Sequence, residues 1–522
     1  MFARFIRMEP VISPGASARV YVPAVMGSRA LAFLRTYLVA RILGGLDAQF
    51  GAYQLALELT NPAVALVMFG AADVAERYVS RIERDGGHAG VRRWLLKQYG
   101  RLAIGALLVA GLMALLSPWL SRAVWGERQV GLAVVCAATV LVLAFYQHLA
   151  GVLRGLRFYA ASAGLELFSA AFLLLFSGVA ALFRNAVWLM AAYAASVVIP
   201  LLVYEFLLWR KLVKTESDAE QTAAAENSRQ PLLTGNFALW AFVRMMLVMV
   251  FGGFFSLWGV RFLEQHAGGG TQQALSATGQ FSWPFRIAQM LGFLAVTLWA
   301  SSYGIAARAW SHGQVRRATA QFFRIGRLGM AGLSVTAVLV MWCRGIFVWI
   351  LPQYASAIAA LLPGLLAVFL GYSLVAFFSS LSDLRESPQR GAALWATAVF
   401  VQLAGIVAGR FGALALVGGD AKLWMMLTSA LGLALALVIP APLLLCRPMR
   451  FSATGVPLLI LGCCTITFFA PGWVVDWIAG PAEIGAVLLL YSMGLLVRPM
   501  DRRAFRRWRI GRARQPAEGS EA

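Results

Sequence analysis

Five arginines stand in segments apolar enough to enter a membrane. Arg29, Arg35 and Arg41 lie in SRALAFLRTYLVARILGG, Arg244 lies in AFVRMMLVMVFGG, and Arg286 follows Trp283-Pro284 by two residues. A guanidinium at the centre of a membrane helix costs about 2.5–3.5 kcal/mol even on the lenient insertion scale, so the deep ones need water, a carboxylate or an anionic ligand. Guanidinium stays ionised when partly dehydrated and makes bidentate, charge-assisted bonds to phosphate oxygens. The candidate acidic partners between helices are Glu58 and Glu166, too few to pair every deep arginine. That shortage favours a hydrated cationic cavity over structural pairing and marks Arg29, Arg35, Arg244 and Arg286 as candidate ligands of an anionic amphiphile. Glu58 and Glu166 are the candidate ion-coupling acids. At 100° per residue, Arg29, Arg35 and Arg41 stand about 120° apart on one helix. They cannot all line a narrow channel, but Arg29 and Arg35 can flank a wide cleft while Arg41 points elsewhere.

Two prolines sharpen the pattern. Pro62 and Pro284 each lie about ten residues into a span; each removes a backbone donor and favours a kink. Helix breaks at matching places in two halves of a chain point to a transporter's binding site.

The elements that must carry these residues follow from composition. The chain has 522 residues, 60% hydrophobic and 13% charged, against roughly 25% charged in a soluble domain. Apolar runs long enough to cross a bilayer recur along nearly its whole length. They predict an all-α polytopic membrane protein with spans at 22–44, 52–74, 102–122, 130–151, 160–183, 187–209, 237–259, 275–302, 328–351, 358–381, 391–409, 422–445, 454–474 and 481–498. The N-terminal stretch has positive charge, but Pro10, Pro14 and Gly15 interrupt any signal-peptide core, so it reads as a short tail.

Most of the 45 Lys and Arg residues fall in tails and loops on one side of this layout, which is the positive-inside pattern and puts both termini in the cytoplasm. The net charge of +22 therefore reflects topology and predicts no nucleic-acid partner. Five cysteines and four scattered histidines form neither a disulfide framework nor a metal spacing, so no metal, cofactor or catalytic residue is predicted.

The chain divides into an N-terminal lobe (1–210, spans one to six), a polar cytoplasmic linker (211–236), a C-terminal lobe (237–446, spans seven to twelve), spans thirteen and fourteen (447–498) and a basic tail (499–522). The segment Ala32–Gly44 aligns without gaps on Ala241–Gly253, with Ala, Phe, Arg, Leu, Val and Gly coinciding. The alignment pairs Arg35 with Arg244 and predicts two pseudo-symmetric six-helix lobes related by a parallel repeat.

The first two spans resemble the opening of the multidrug/oligosaccharidyl-lipid/polysaccharide exporter superfamily. The shared pattern is Ser28, Arg29, Leu31, Phe33 and Arg35, then Val39, Ala40, Arg41 and Gly44. Phe50-Gly51-Ala52-Tyr53 resembles the F-G-x-Y of its polysaccharide branch, and Gly151–Gly155 the short inward turn after span four. The lipid II flippase, a related member, has basic residues where Pro62, Ala63 and Val64 stand here and an Asp where Thr36 stands, which favours the polysaccharide branch. The resemblance implies two lobes around a cavity open alternately to either side of the bacterial cytoplasmic membrane. It implies a polyprenyl-pyrophosphate oligosaccharide as cargo, glycan assembly enzymes as partners, and head-group roles for Arg29 and Arg35. Arg244 joins by the internal repeat and Arg286 by depth.

Two other classes of protein stand as alternatives. A drug/cation antiporter of this fold needs an intramembrane acid, for which Glu58 and Glu166 are the candidates. A membrane-embedded glycosyltransferase or ligase needs a sizeable outward loop with acid–base residues; here the outward loops are short and their acids scattered. The basic tail, with Phe505 and Trp508 interleaved, suits anionic membrane lipids.

Overall fold

In hydrocarbon the backbone must satisfy its own hydrogen bonds, so apolar runs of span length become helices. A computed structural model of the chain describes residues 14–43, 47–219, 235–311, 315–384 and 387–438. Among them there is no strand. The N-terminal half holds α1 (Pro14–Leu43), α2 (Asp47–Met68), α3 (Ala71–Leu115), α4 (Ser117–Trp125), α5 (Val130–Gly155), α6 (Tyr159–Ala181) and α7 (Ala186–Ala219). The C-terminal half opens with α8 (Gly235–Met249), a π-helical turn (Val250–Phe254) and α9 (Phe255–His266). It continues through α10 (Thr271–Ser311), α11 (Val315–Trp342), α12 (Arg344–Ile350), α13 (Ala355–Leu384), α14 (Pro388–Arg410) and α15 (Ala421–Val438).

A helix stands at each of the first twelve predicted spans; spans thirteen and fourteen and the basic tail lie outside the described residues. Among those residues nine helices are long and apolar enough to cross a membrane, ten if α11 and α12, bent by 50° at Cys343, count as one. The chain is a multi-pass membrane protein.

Several boundaries differ from the sequence reading. The Arg-rich segment expected to link spans two and three is helical: α3 runs 45 residues from Ala71 and breaks only at Gly87, whose φ of 57° suits a residue without Cβ. Charge marks a segment as outside the hydrocarbon; it does not stop a helix. The linker predicted from residue 211 starts as a continuation of α7, which reaches Ala219. Pro62 and Pro284 sit inside unbroken helical runs, so the predicted helix breaks are corrected. Hydroxyls of Thr60 and Ser282 bond back to the carbonyls of Leu57 and Gly279 in the turns before each proline. The ladder instead loosens at the π-helical turn in span seven.

The helices form two lobes. In the first, α1 packs on α6, α3 on α5, and α5 and α6 on α7; in the second, α10 packs on α13, α8 on α14, and α13 and α14 on α15. Helix α2 forms the seam, packed on α5 of its own lobe and on α8 and α10 of the other. Glycines let the backbones meet there. A Cβ on Gly51 would overlap the Leu275 carbonyl oxygen, and one on Gly70 (φ 76°) would stand 2.9 Å from the Ala238 carbonyl oxygen. The Leu43/Asp47 end of the bundle and the end bearing the α2–α3 joint are called here the distal and the basic end.

Replacing Gly51 with Ala is predicted to lower stability by about 1–3 kcal/mol, the usual cost of overpacking. The same change at Gly111, where a Cβ meets nothing within 4 Å, is predicted to be neutral or stabilising. Thermal unfolding of the two detergent-purified variants checks both.

Candidate substrate site and the seam between the lobes

Arg35 is 7% exposed. Its Nη1 donates to the Tyr53 hydroxyl at 3.1 Å and its Nη2 to Thr36 Oγ1 at 3.2 Å. Thr36 is held by its own bond to the Ala32 carbonyl at 2.9 Å, one turn back on α1. Helix geometry thus brings Thr36 to its neighbour's guanidinium, and the close entry of α2 brings Tyr53. Arg35 Nε is buried without a hydrogen-bond partner, and Arg35 makes no ion pair among the described residues. A buried, charged donor left open is costly.

Arg29 stands two turns earlier on α1. Its guanidinium lies 4.5 Å from the centroid of Phe293 on α10, and its Nε too is buried and unpartnered. A ring face attracts the cation but leaves its in-plane N–H donors free. Arg29 and Arg35 lie on the inner stretch of α1, the first against Phe293 of α10 and the second against Tyr53 of α2. Arg41 is exposed and bonds Tyr37 at 2.5 Å, apart from that region as helix geometry requires.

Arg244 and Arg286 are placed differently. Arg286 Nη1 is 2.6 Å from Glu58 Oε1, Nε and Nη2 donate to Gln54 Oε1 at 2.9 and 2.7 Å, and Nη1 donates to Gln289 at 2.6 Å. Glu58 and Gln54 are one helical turn apart on α2, so one face of the seam helix grips one guanidinium. Opposite Glu58 is the π-helical turn: a Cβ on Gly253 would overlap its carboxylate, and the neighbouring Gly252 carbonyl accepts from Gln289 at 3.3 Å. Arg244 is bound by Asp383 at the end of α13 and by Asp73 on α3 at 3.4 Å. The expectation that deep arginines would outnumber their carboxylates is corrected for these two. Asp73 and Asp383 fall at span ends and were not counted as membrane acids, although both reach inward. The repeat register is corrected too: Arg35 lies in the last third of α1, whereas Arg244 lies in the first third of span seven, near the basic end.

Glu166 approaches Arg154 Nη1 at 3.9 Å, and Arg154 Nε also holds Glu76 at 2.9 Å. Both predicted coupling acids thus face an arginine. Sequence reasoning missed Arg261, on α9 at the distal end. It is 3% exposed, and its Nη1 donates at 2.9 Å to the Ala123 carbonyl in the last turn of α4, which also accepts from Trp258 Nε1 at 3.1 Å. A cation on the open carbonyls of a helix C-terminus is favourable. The signal was present as a charge near the end of span seven, but its acceptor is a main-chain oxygen that no residue pattern announces.

Three arginines of the second lobe therefore cross to the first at three levels: Arg244 at the basic end, Arg286 between, and Arg261 at the distal end. Arg29 and Arg35 of the first lobe and Arg261 of the second each keep a buried Nε without a partner.

The architecture matches solved transporters. A MATE in its straight conformation superposes with a TM-score of 0.57 at 15% identity, over 85% of this chain and 97% of that one. A multidrug resistance MATE family transporter of the MOP superfamily, outward-facing, gives 0.55 at 15%, over 87% and 98%. A MOP superfamily transporter from Pyrococcus furiosus, for which a reversed polarity of the binding pocket suggests a different function, gives 0.56 at 15%, over 85% and 96%. The chain has the MATE-like, two-lobed fold. No protein-family model matches it, and no curated protein does.

Because Glu58 is 2% exposed, removing its partner strands a buried charge. Arg286→Ala and Glu58→Ala are each predicted to destabilise by about 3–5 kcal/mol, and the double variant by clearly less than their sum. A double-mutant cycle on thermal unfolding checks the coupling.

Proposed function

We propose that the chain is a transporter that moves an anionic lipid-linked oligosaccharide of the polyprenyl-pyrophosphate type across the bacterial cytoplasmic membrane by alternating access. The observation that carries this reading is a difference among the four arginines predicted as ligands. Arg29 and Arg35 keep unpartnered donors and no carboxylate, whereas Arg244 and Arg286 are neutralised. Once the lobes part, a pyrophosphate engages the Nε donors of Arg29 and Arg35, which are buried in this conformation, with the Tyr53 hydroxyl at hand. Arg244 and Arg286 drop out as head-group ligands and act on the seam. Opening toward either membrane face requires the lobes to part at one end while the other holds. That assigns Arg244 with Asp73 to closure of the basic end and Arg261 with Ala123 to closure of the distal end. The positive-inside pattern places the basic end, and both termini, in the cytoplasm. Enzymes that assemble the glycan on its lipid would supply the cargo.

A drug/cation antiporter is the second reading, and the multidrug transporters among the fold's relatives favour it. It needs an intramembrane carboxylate free to bind a cation. Glu58 already has Arg286, and two open guanidiniums nearby repel cationic cargo.

In proteoliposomes, Arg35→Gln is predicted to slow translocation of a lipid-linked oligosaccharide about tenfold or more, the worth of a charge-assisted hydrogen bond, with the fold retained. Equal rates for wild type and variant remove Arg35 from the mechanism; proton- or sodium-driven efflux of a cationic dye by the wild type supports the antiporter.

A further inference from the structure

The part of α3 beyond Gly87 is the least buried of the nine apolar helices among the described residues, so most of its face meets lipid. Arg93, Lys97 and Arg101 follow one another at four-residue spacing near its basic end, and all three are exposed. None of them makes an ion pair among the described residues. On the same face, toward the membrane centre, come Ile104, Leu108, Leu112 and Leu115, each exposed. On a helical wheel these seven positions share a stripe about 100° wide. Gly100 and Gly111 flank it, and a Cβ at either would meet nothing within 4 Å, so the stripe is unobstructed.

The stripe has the shape of a phospholipid. Three cations sit at head-group depth, and the apolar run above them rises about 16 Å from Arg101 to Leu112, close to one leaflet of a hydrocarbon core of roughly 30 Å. Generic topogenic charge needs no alignment with an apolar stripe; a lipid ligand does. Zwitterionic head groups offer such a ladder no net charge, and anionic ones do. We propose that this face of α3 is a binding site for an anionic phospholipid of the leaflet at the basic end. It is separate from the transport site and does not rest on the transport reading.

The test uses full-length detergent-purified protein offered equal amounts of phosphatidylglycerol and phosphatidylcholine, with retained lipid read by native mass spectrometry. Wild type is expected to retain phosphatidylglycerol preferentially, and R93Q/K97Q/R101Q to lower that retention about a hundredfold. R93K/R101K is expected to keep it, and R122Q/R128Q/R184Q, which removes three exposed cations at the distal end, to leave it unchanged. Should the first triple variant not fold, the single variants R93Q, K97Q and R101Q read the same site and are each expected to lower retention about fivefold. No preference in wild type, equal losses in the two triple variants, or unchanged retention in every α3 variant would overturn the proposal.

Discussion

A guanidinium taken out of water must find acceptors for its charge and its donors, and most of this molecule can be read as answers to that demand. The second lobe answers with protein: carboxylates of Asp73, Asp383 and Glu58, amides of Gln54 and Gln289, and the Ala123 carbonyl. The first lobe answers only in part. Arg35 has two hydroxyls and Arg29 a ring face, and each keeps an unpartnered Nε. Carboxylate pairing at Arg244 and Arg286, and its lack at Arg29 and Arg35, separates holding the lobes together from holding a ligand.

The seam shows how close packing and charge work together. Gly51 and Gly70 let α2 approach the second lobe at its two ends, and Gly253 lets the Glu58 carboxylate fit between them. The π-helical turn at Val250–Phe254 sits at that contact, and such turns interrupt a helix often where function is carried. An ion pair across lobes that must part is weak evidence of stability, because desolvation offsets much of the attraction; it is good evidence of a specified register. Arg261, as a cap on α4, performs the same service with a helix terminus in place of a carboxylate.

Hydropathy made the first twelve spans legible, because lipid exposure leaves little choice of backbone structure. It did not show that the Arg-rich segment before Gly87 is helical, since charge reports position relative to the membrane and not local conformation. The unusual depth of Arg29 and Arg35 was legible from their spacing in an apolar run. The contacts of Arg35 with Tyr53 and of Arg29 with Phe293 were not, because they depend on how α1, α2 and α10 converge. The pairing of Arg244 was misread for two reasons: Asp73 and Asp383 lie at span ends, and a match of small and apolar residues set the repeat register wrongly. Pro62 and Pro284 predicted breaks, yet both helices run on through them.

The central claim is that Arg29 and Arg35 remain open because their acceptor is an anionic ligand. Equilibrium titration of farnesyl pyrophosphate against the detergent-purified chain tests it most directly, comparing wild type with R29Q/R35Q. The account predicts saturable binding to wild type and an affinity at least about tenfold weaker in the variant, as expected for lost charge-assisted bonds. Equal affinity in the two proteins, or no binding to wild type, would contradict it.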